Sequence, residues 1–395
     1  MRNFHLPLWL APDHPGGGAF VALFMIEAVA RTLPIAAVPL QALSLFGDAQ
    51  RVSVVYALAG IGGLLGSLAI PWLTHRIQRR WVFTLGCLLV MAACALYTVE
   101  TRPTLILGLL AQVLGAASLE ITLNLYVLDR VARRDIAAFE PKRIFFAAGA
   151  WALGPWLGVS LKANVGAWAA FGLAGAAAAV LLAFFWFLRL TDNPALPRGR
   201  TAPPNPVRYL ARFFAQPRLR LAWFLATGRA GWWAMFFIYA PIYAVTEGLG
   251  EEAGGAIVSI GLAALFLVPL WGRLVRRFGM RRMLIAGYAA AGTLTVVVAW
   301  AAPSPWLGAA LLIAAAVAAS IIDGAGNTPF LRAVHPLERP EMTTVFGTFR
   351  HASQLVPPGI FAVLLRVFAL PAVFVASGLS LLALAWFARY IPRKM

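Results

Sequence analysis

Long apolar runs, each about the length of a membrane-crossing helix, alternate with short polar, basic loops along this 395-residue chain. A helix needs about 20 apolar residues to cross the hydrocarbon layer of a bilayer. On that measure the runs predict twelve spans, near 19–43, 52–73, 81–99, 104–128, 144–165, 168–188, 221–245, 253–271, 283–302, 305–330, 343–368 and 370–390. The segment from Arg189 to Arg220 interrupts them as the longest polar stretch, and its first part holds Pro194, Pro197, Pro203, Pro204 and Pro206. Proline removes a backbone donor and clashes in a helix interior, so this part reads as extended. It passes into Val207-Arg208-Tyr209-Leu210-Ala211-Arg212-Phe213-Phe214, an amphipathic run expected to form an interfacial helix.

The expected organisation is a tail (1–18), a six-helix bundle (19–188), a cytoplasmic linker with an interfacial helix (189–220), a second six-helix bundle (221–390) and a short tail (391–395). The tail 1–18 lacks an apolar run before a cleavage site, so the first span itself is expected to direct insertion. Composition fits this all-α integral membrane architecture. Hydrophobic residues make up 61% of the chain and charged residues 12%, about half the fraction usual in soluble domains. Mean hydropathy is +0.79.

A net charge of +18 raises the question of nucleic acid. The basic residues do not form one patch; they fall in short clusters between apolar runs, as the positive-inside rule requires. With both termini inside, 26 of the 33 Lys and Arg residues face the cytoplasm, four face outside and three lie within spans. That split predicts a multi-pass inner-membrane protein with cytoplasmic termini and a lipid, not a nucleic-acid, environment. Cys87 and Cys94 lie two turns apart on one span, which suits packing and not a disulfide. No metal-ligand spacing and no nucleotide-binding loop occur, so no cofactor and no enzymatic chemistry are implied.

Charges inside the spans carry the functional signal, because ionisable groups in a membrane are costly and mark transport paths. They recur at one offset. Glu120 and Asn124 are matched 203 positions later by Asp323 and Asn327; Glu27, ahead of Pro39-Leu40-Gln41, is matched 202 positions later by Arg229, ahead of Pro241-Ile242-Tyr243. The recurrence predicts two pseudo-symmetric halves. Glu27 and Arg31, four apart with the acid first, form a favourable helical pair. Three acids (Glu27, Glu120, Asp323) and three arginines (Arg31, Arg229, Arg350) balance, as expected of a salt-bridge gate. A proton-coupling role is the other reading of the acids, because a carboxylate in low dielectric can titrate near neutral pH. Arginine stays charged and grips carboxylate or phosphate with two parallel bonds, which makes Arg31 and Arg229 candidate anion contacts. Asn124, Asn327, Tyr239, Tyr243 and Gln354 are the further candidates for substrate contact.

Twelve spans in two sets of six around a central linker resemble the major facilitator superfamily. The loop after span 8, Gly272-Arg273-Leu274-Val275-Arg276-Arg277-Phe278-Gly279-Met280-Arg281-Arg282, is similar to that family's G-x-x-x-D-R-x-G-R-R motif. Gly272, Arg277, Gly279, Arg281 and Arg282 match it, and Arg276 stands at the acid position. The loop after span 2 keeps Arg76, Arg79 and Arg80, with His75 at the acid position. In span 5, Gly154-Pro155-Trp156-Leu157-Gly158 resembles a Gly-Pro motif of the family's antiporters. The resemblance implies that spans 1, 4, 7 and 10 line a central path, and that a monomer carries a small organic solute by alternating access, with protons as the coupling ion. It leaves efflux of drug-like or amphipathic compounds as an alternative and a non-transporting receptor or scaffold as a third reading.

Overall fold

Inside a bilayer no water meets an exposed backbone N–H or C=O, so a chain this apolar is confined to helices that bond to themselves. The computed structural model describes residues 17–130, 133–188, 206–301, 303–335 and 338–392, and helix dominates throughout them. Residues 1–16 of the expected tail, 189–205 of the expected linker and 393–395 of the expected C-terminal tail lie outside the described residues. Nine helical stretches among the described residues are long and apolar enough to cross a membrane. Helices also cover the other three expected spans: α6 (Arg133–Asn164), α9 (Pro217–Thr246), and the pair α15 (Arg339–Gly347) and α16 (Phe349–Leu364).

The chain divides into two compact units, Met1–Val38 with Gly62–Ala202, and Pro39–Ile61 with Pro203–Met395. In the first unit α1 (Gly17–Thr32) packs on α6 and on α7 (Ala167–Phe187), while α4 (Arg79–Thr98) packs on α5 (Arg102–Arg130) and α7. Phe83 and Phe185 stack face to face at 4.0 Å where α4 meets α7. The first span is not one helix. Pro34 has no N–H to donate, and the chain turns at Leu33 before α2 (Pro34–Phe46) resumes. Gly154 and Gly158 of α6 lie against that turn: a Cβ on Gly154 would fall 2.1 Å from Thr32 Oγ1, and one on Gly158 would fall 1.9 Å from the Leu33 carbonyl oxygen. Backbone meets backbone here, as small residues permit in membrane helices.

In the second unit α9 packs on α16 and on α10 (Glu251–Ala263), while α12 (Met280–Val297) packs on α13 (Pro305–Ala325) and α17 (Pro371–Phe387). The eighth expected span is broken. A 3₁₀ turn over Ala264–Leu267 precedes α11 (Val268–Phe278), whose second residue is Pro269. The tenth span also breaks: α13 stops at Gly326, and α14 (Thr328–Ala333) follows. Ser53 of α3 (Ala49–Arg76) shares a hydrogen bond with the Tyr239 hydroxyl, and Gln50 Nε2 donates to the Ala362 carbonyl at 3.3 Å, which ties Pro39–Ile61 into this unit.

The amphipathic run after the linker forms α8 (Pro206–Ala215). Its apolar face is covered by protein. Phe213 is fully buried in a cluster with Leu219, Ala222, Phe330, Met342 and Phe346, and Arg212 pairs with Glu338. Periodicity identifies an apolar face but not what covers it, so a helix expected on lipid and one docked on its own bundle look alike in sequence.

Candidate substrate and proton site

A carboxylate on a membrane helix needs a cation or hydrogen-bond donors at its oxygens to be tolerated as an anion. In the first unit α1 supplies such a pair from one face: Arg31 Nη1 lies 3.3 Å from Glu27 Oε1. The Arg31 guanidinium rests over the Trp151 ring of α6 at 5.3 Å. Arg143, also on α6, lies over the Phe24 ring at 4.6 Å, and both Arg143 and Glu120 act electrostatically on Glu27. Glu120 acts on Arg31 as well. Two acids and two arginines therefore lie within electrostatic reach of one another in this unit. The group is not sealed: the Arg31 side chain is 34% exposed, whereas Glu27 is 11% exposed. Asn124, one turn beyond Glu120 on α5, is half-buried.

The second unit solves the same problem between helices. Arg229 of α9 reaches Asp323 of α13, Nε to Oδ1 at 3.5 Å. The other oxygen, Oδ2, accepts the Trp233 indole N–H at 3.0 Å. Arg229 Nη2 donates to Asn327 Oδ1 at 3.1 Å. The break in the tenth span sets this geometry. Gly326 has φ +54°, a conformation that L side chains rarely adopt, and it turns the chain between Asp323 and Asn327. The two side chains do not ride one continuous helix face, yet Arg229 bonds to both. Beside it lies a small concavity lined by Arg229, Tyr288, Asn327, Pro329, Phe330 and Phe346.

Other expected site residues fall elsewhere. Tyr239 and Tyr243 are buried in helix packing, the first bonded to Ser53 and the second donating to the Pro305 carbonyl at 3.2 Å. Gln354 and Arg350 are exposed, with the Arg350 guanidinium over its neighbour Phe349 at 5.4 Å. In the loop after span 8, Gly279 at φ +87° links α11 directly to α12, and Arg277 lies over Phe278. Gly272 and Arg281 are half-buried and Arg282 is exposed. After span 2, Arg76 is exposed and Arg79 and Arg80 are half-buried at the start of α4. No group of three His, Cys, Asp or Glu able to hold a metal occurs among the described residues.

Sequence reasoning did not place Trp151, Arg143 or Trp233 in a site. For Trp233 a signal existed, because it follows Arg31 by the same 202 positions that separate Glu27 from Arg229. Trp233 donates its N–H to Asp323, and Arg31 pairs with Glu27 while feeling the charge of Glu120.

No curated protein matched the sequence. Among solved structures, the chain is similar to a POT family transporter in complex with a thioalcohol-conjugated peptide, with TM-score 0.77, 12% identity, and coverage of 93% of this chain and 94% of the other. It is also similar to the nucleoside transporter NupG, with TM-score 0.74, 12% identity and coverage of 95% and 98%. A third is the peptide transporter POT in complex with sulfate, with TM-score 0.72, 16% identity and coverage of 94% and 93%. At such identity these likenesses speak to fold alone. The sequence profile described as Major Facilitator Superfamily matches residues 20–356, and the chain belongs to that family of multi-pass membrane transport proteins.

Proposed function

We propose that this protein is a secondary transporter that carries a small organic anion by alternating access, coupled to protons. The observation that carries the reading is the pair of neutral charge groups at corresponding places in the two halves: Glu27, Arg31, Glu120 and Arg143 in one, Arg229 and Asp323 in the other. A carrier needs a cation for the anion and an acid that changes protonation once per cycle. Arg31 suits the first task, since its guanidinium is one-third exposed and its ring partner leaves donors at its edge. Arg229 is the second anion contact. Glu120 is the first choice for the proton and Asp323 the second. Relatives in fold that hold peptide or sulfate make charged organic solutes a reasonable class to test. The efflux reading rests on Gly154, Pro155 and Gly158 and on the many aromatics; both glycines also pack closely on the Thr32–Leu33 turn, which gives them a structural role under either reading. We further propose a monomer in the inner membrane with both termini cytoplasmic, as the basic loops favour.

Purified protein in liposomes with a trapped pH dye tests this. Organic anions, sugars and lipophilic cations are added in turn to wild type and Glu120→Gln. Proton flux triggered by an anion and lost in the variant is the expected result. Flux triggered only by lipophilic cations refutes the anion assignment and makes the arginines gate structure.

A further inference from the structure

Trp81 and Trp186 stand at the start of α4 and the end of α7, the same end of two helices that pack together. Their rings meet edge to face at 5.4 Å, and both are exposed, 49% and 40%. Two large exposed indoles at a span end are ordinary membrane anchors. Two features make this pair more than that. The Arg80 guanidinium lies over both rings, 5.8 Å from Trp81 and 5.9 Å from Trp186. The Trp186 indole N–H donates to Thr84 Oγ1 at 3.1 Å, and Thr84 in turn donates to the Arg80 carbonyl at 2.8 Å, so ring and arginine are held on one turn of α4.

A planar cation fixed over aromatic faces at a span end matches a phosphate group. The rings lie at a span end among the exposed apolar side chains Ile77 and Phe187, which suit acyl chains. We propose that Arg80, Trp81 and Trp186 form a binding site for the headgroup phosphate of an anionic phospholipid. Arg80 supplies charge-assisted bonds to the phosphate, the indoles cover the glycerol and upper acyl region, and Thr84 is a positioning residue that keeps the Trp186 ring in place. The site is distinct from the charge groups inside the spans, so it stands or falls independently of the transport reading.

Native mass spectrometry of the intact protein, titrated with phosphatidylglycerol or phosphatidylcholine, tests the proposal. Wild type is expected to retain phosphatidylglycerol preferentially. Arg80→Gln should weaken that retention roughly fivefold, the effect of about one basic residue at an anionic surface, and leave phosphatidylcholine unchanged. Thr84→Val should give the same selective loss to a smaller degree, and this milder change keeps the test open if Arg80→Gln does not fold. Unchanged phosphatidylglycerol binding in both variants overturns the proposal, as does an equal loss of both lipids. Displacement of the lipid by inorganic phosphate at equal concentration overturns the lipid assignment in favour of a free-anion site.

Discussion

Removing either partner of the Arg229–Asp323 pair should cost far more than the pair is worth. The two side chains are 13% and 20% exposed, and their closest atoms are 3.5 Å apart. At that distance, with an effective dielectric near 20, the attraction is of order 4–5 kcal/mol, and desolvation of both groups offsets much of it. Arg229→Met leaves Asp323 with only the Trp233 N–H, and a buried charge stripped of its counterion costs about 3–5 kcal/mol. Asp323→Leu leaves Arg229 with only Asn327 and should cost a similar amount. The double variant buries no charge and abandons two hydrogen bonds, so its cost should approach that of one single variant. A coupling energy of about 3 kcal/mol follows, well above the ~0.5 kcal/mol within which independent sites add. Reversible unfolding in mixed micelles, followed by circular dichroism on the four proteins of the cycle, measures it. Additive single-variant losses would refute the reasoning, because they would mean that water already solvates each charge separately.

Gly158→Val should lower folded yield sharply, since its Cβ would stand 1.9 Å from the Leu33 carbonyl oxygen and backbone cannot yield as a side-chain tip can; size-exclusion profiles against wild type read this out. Phe213→Ala should destabilise the protein by about 3–5 kcal/mol, as the loss of a fully buried ring does, whereas Glu338→Gln should change stability by less than about 1 kcal/mol because its partner Arg212 is open to water; thermal melts of both variants give the contrast. Ser53→Ala should cost more than Tyr239→Phe, about 1–3 against about 1 kcal/mol, because the first strands a buried phenol while the second leaves Ser53 bonded to the Ala49 carbonyl at 2.7 Å; equal losses in the same melts would contradict this.

The architecture was legible because lipid permits few solutions. Apolar length marks a span, and the 202–203 offset marks the duplication. The breaks within spans were less legible. Asp323 and Asn327 read as neighbours on one helix face, but Gly326 takes a positive φ between them. A glycine mid-span is as often a packing residue as a turn, and only the tertiary partner decides. Tyr239 and Tyr243, four apart, read as pocket lining. Their hydroxyls are used inside the bundle, because a buried phenol needs an acceptor and both find one. Arg143 was counted with the cytoplasmic loops, since a cation at a span boundary is usually solvated; its stacking on Phe24 depends on how α6 lies against α1.

The two halves share a scaffold but not a charge pattern, and the difference constrains their roles. Position 27 is an acid where its counterpart, 229, is a cation, and position 31 is a cation where its counterpart, 233, is an indole. In the first unit Arg31 sits on the same helix as Glu27, so that ion pair does not itself join two helices, and the guanidinium's contact between helices is with the Trp151 ring of α6. In the second unit the arginine and acid come from α9 and α13, so separating them releases one helix from the other. The first arrangement suits exchange of a counterion for a substrate anion, because parting Glu27 from Arg31 breaks an ion pair within one helix. The second suits a switch, because the state of Asp323 is linked to how α13 is held on α9.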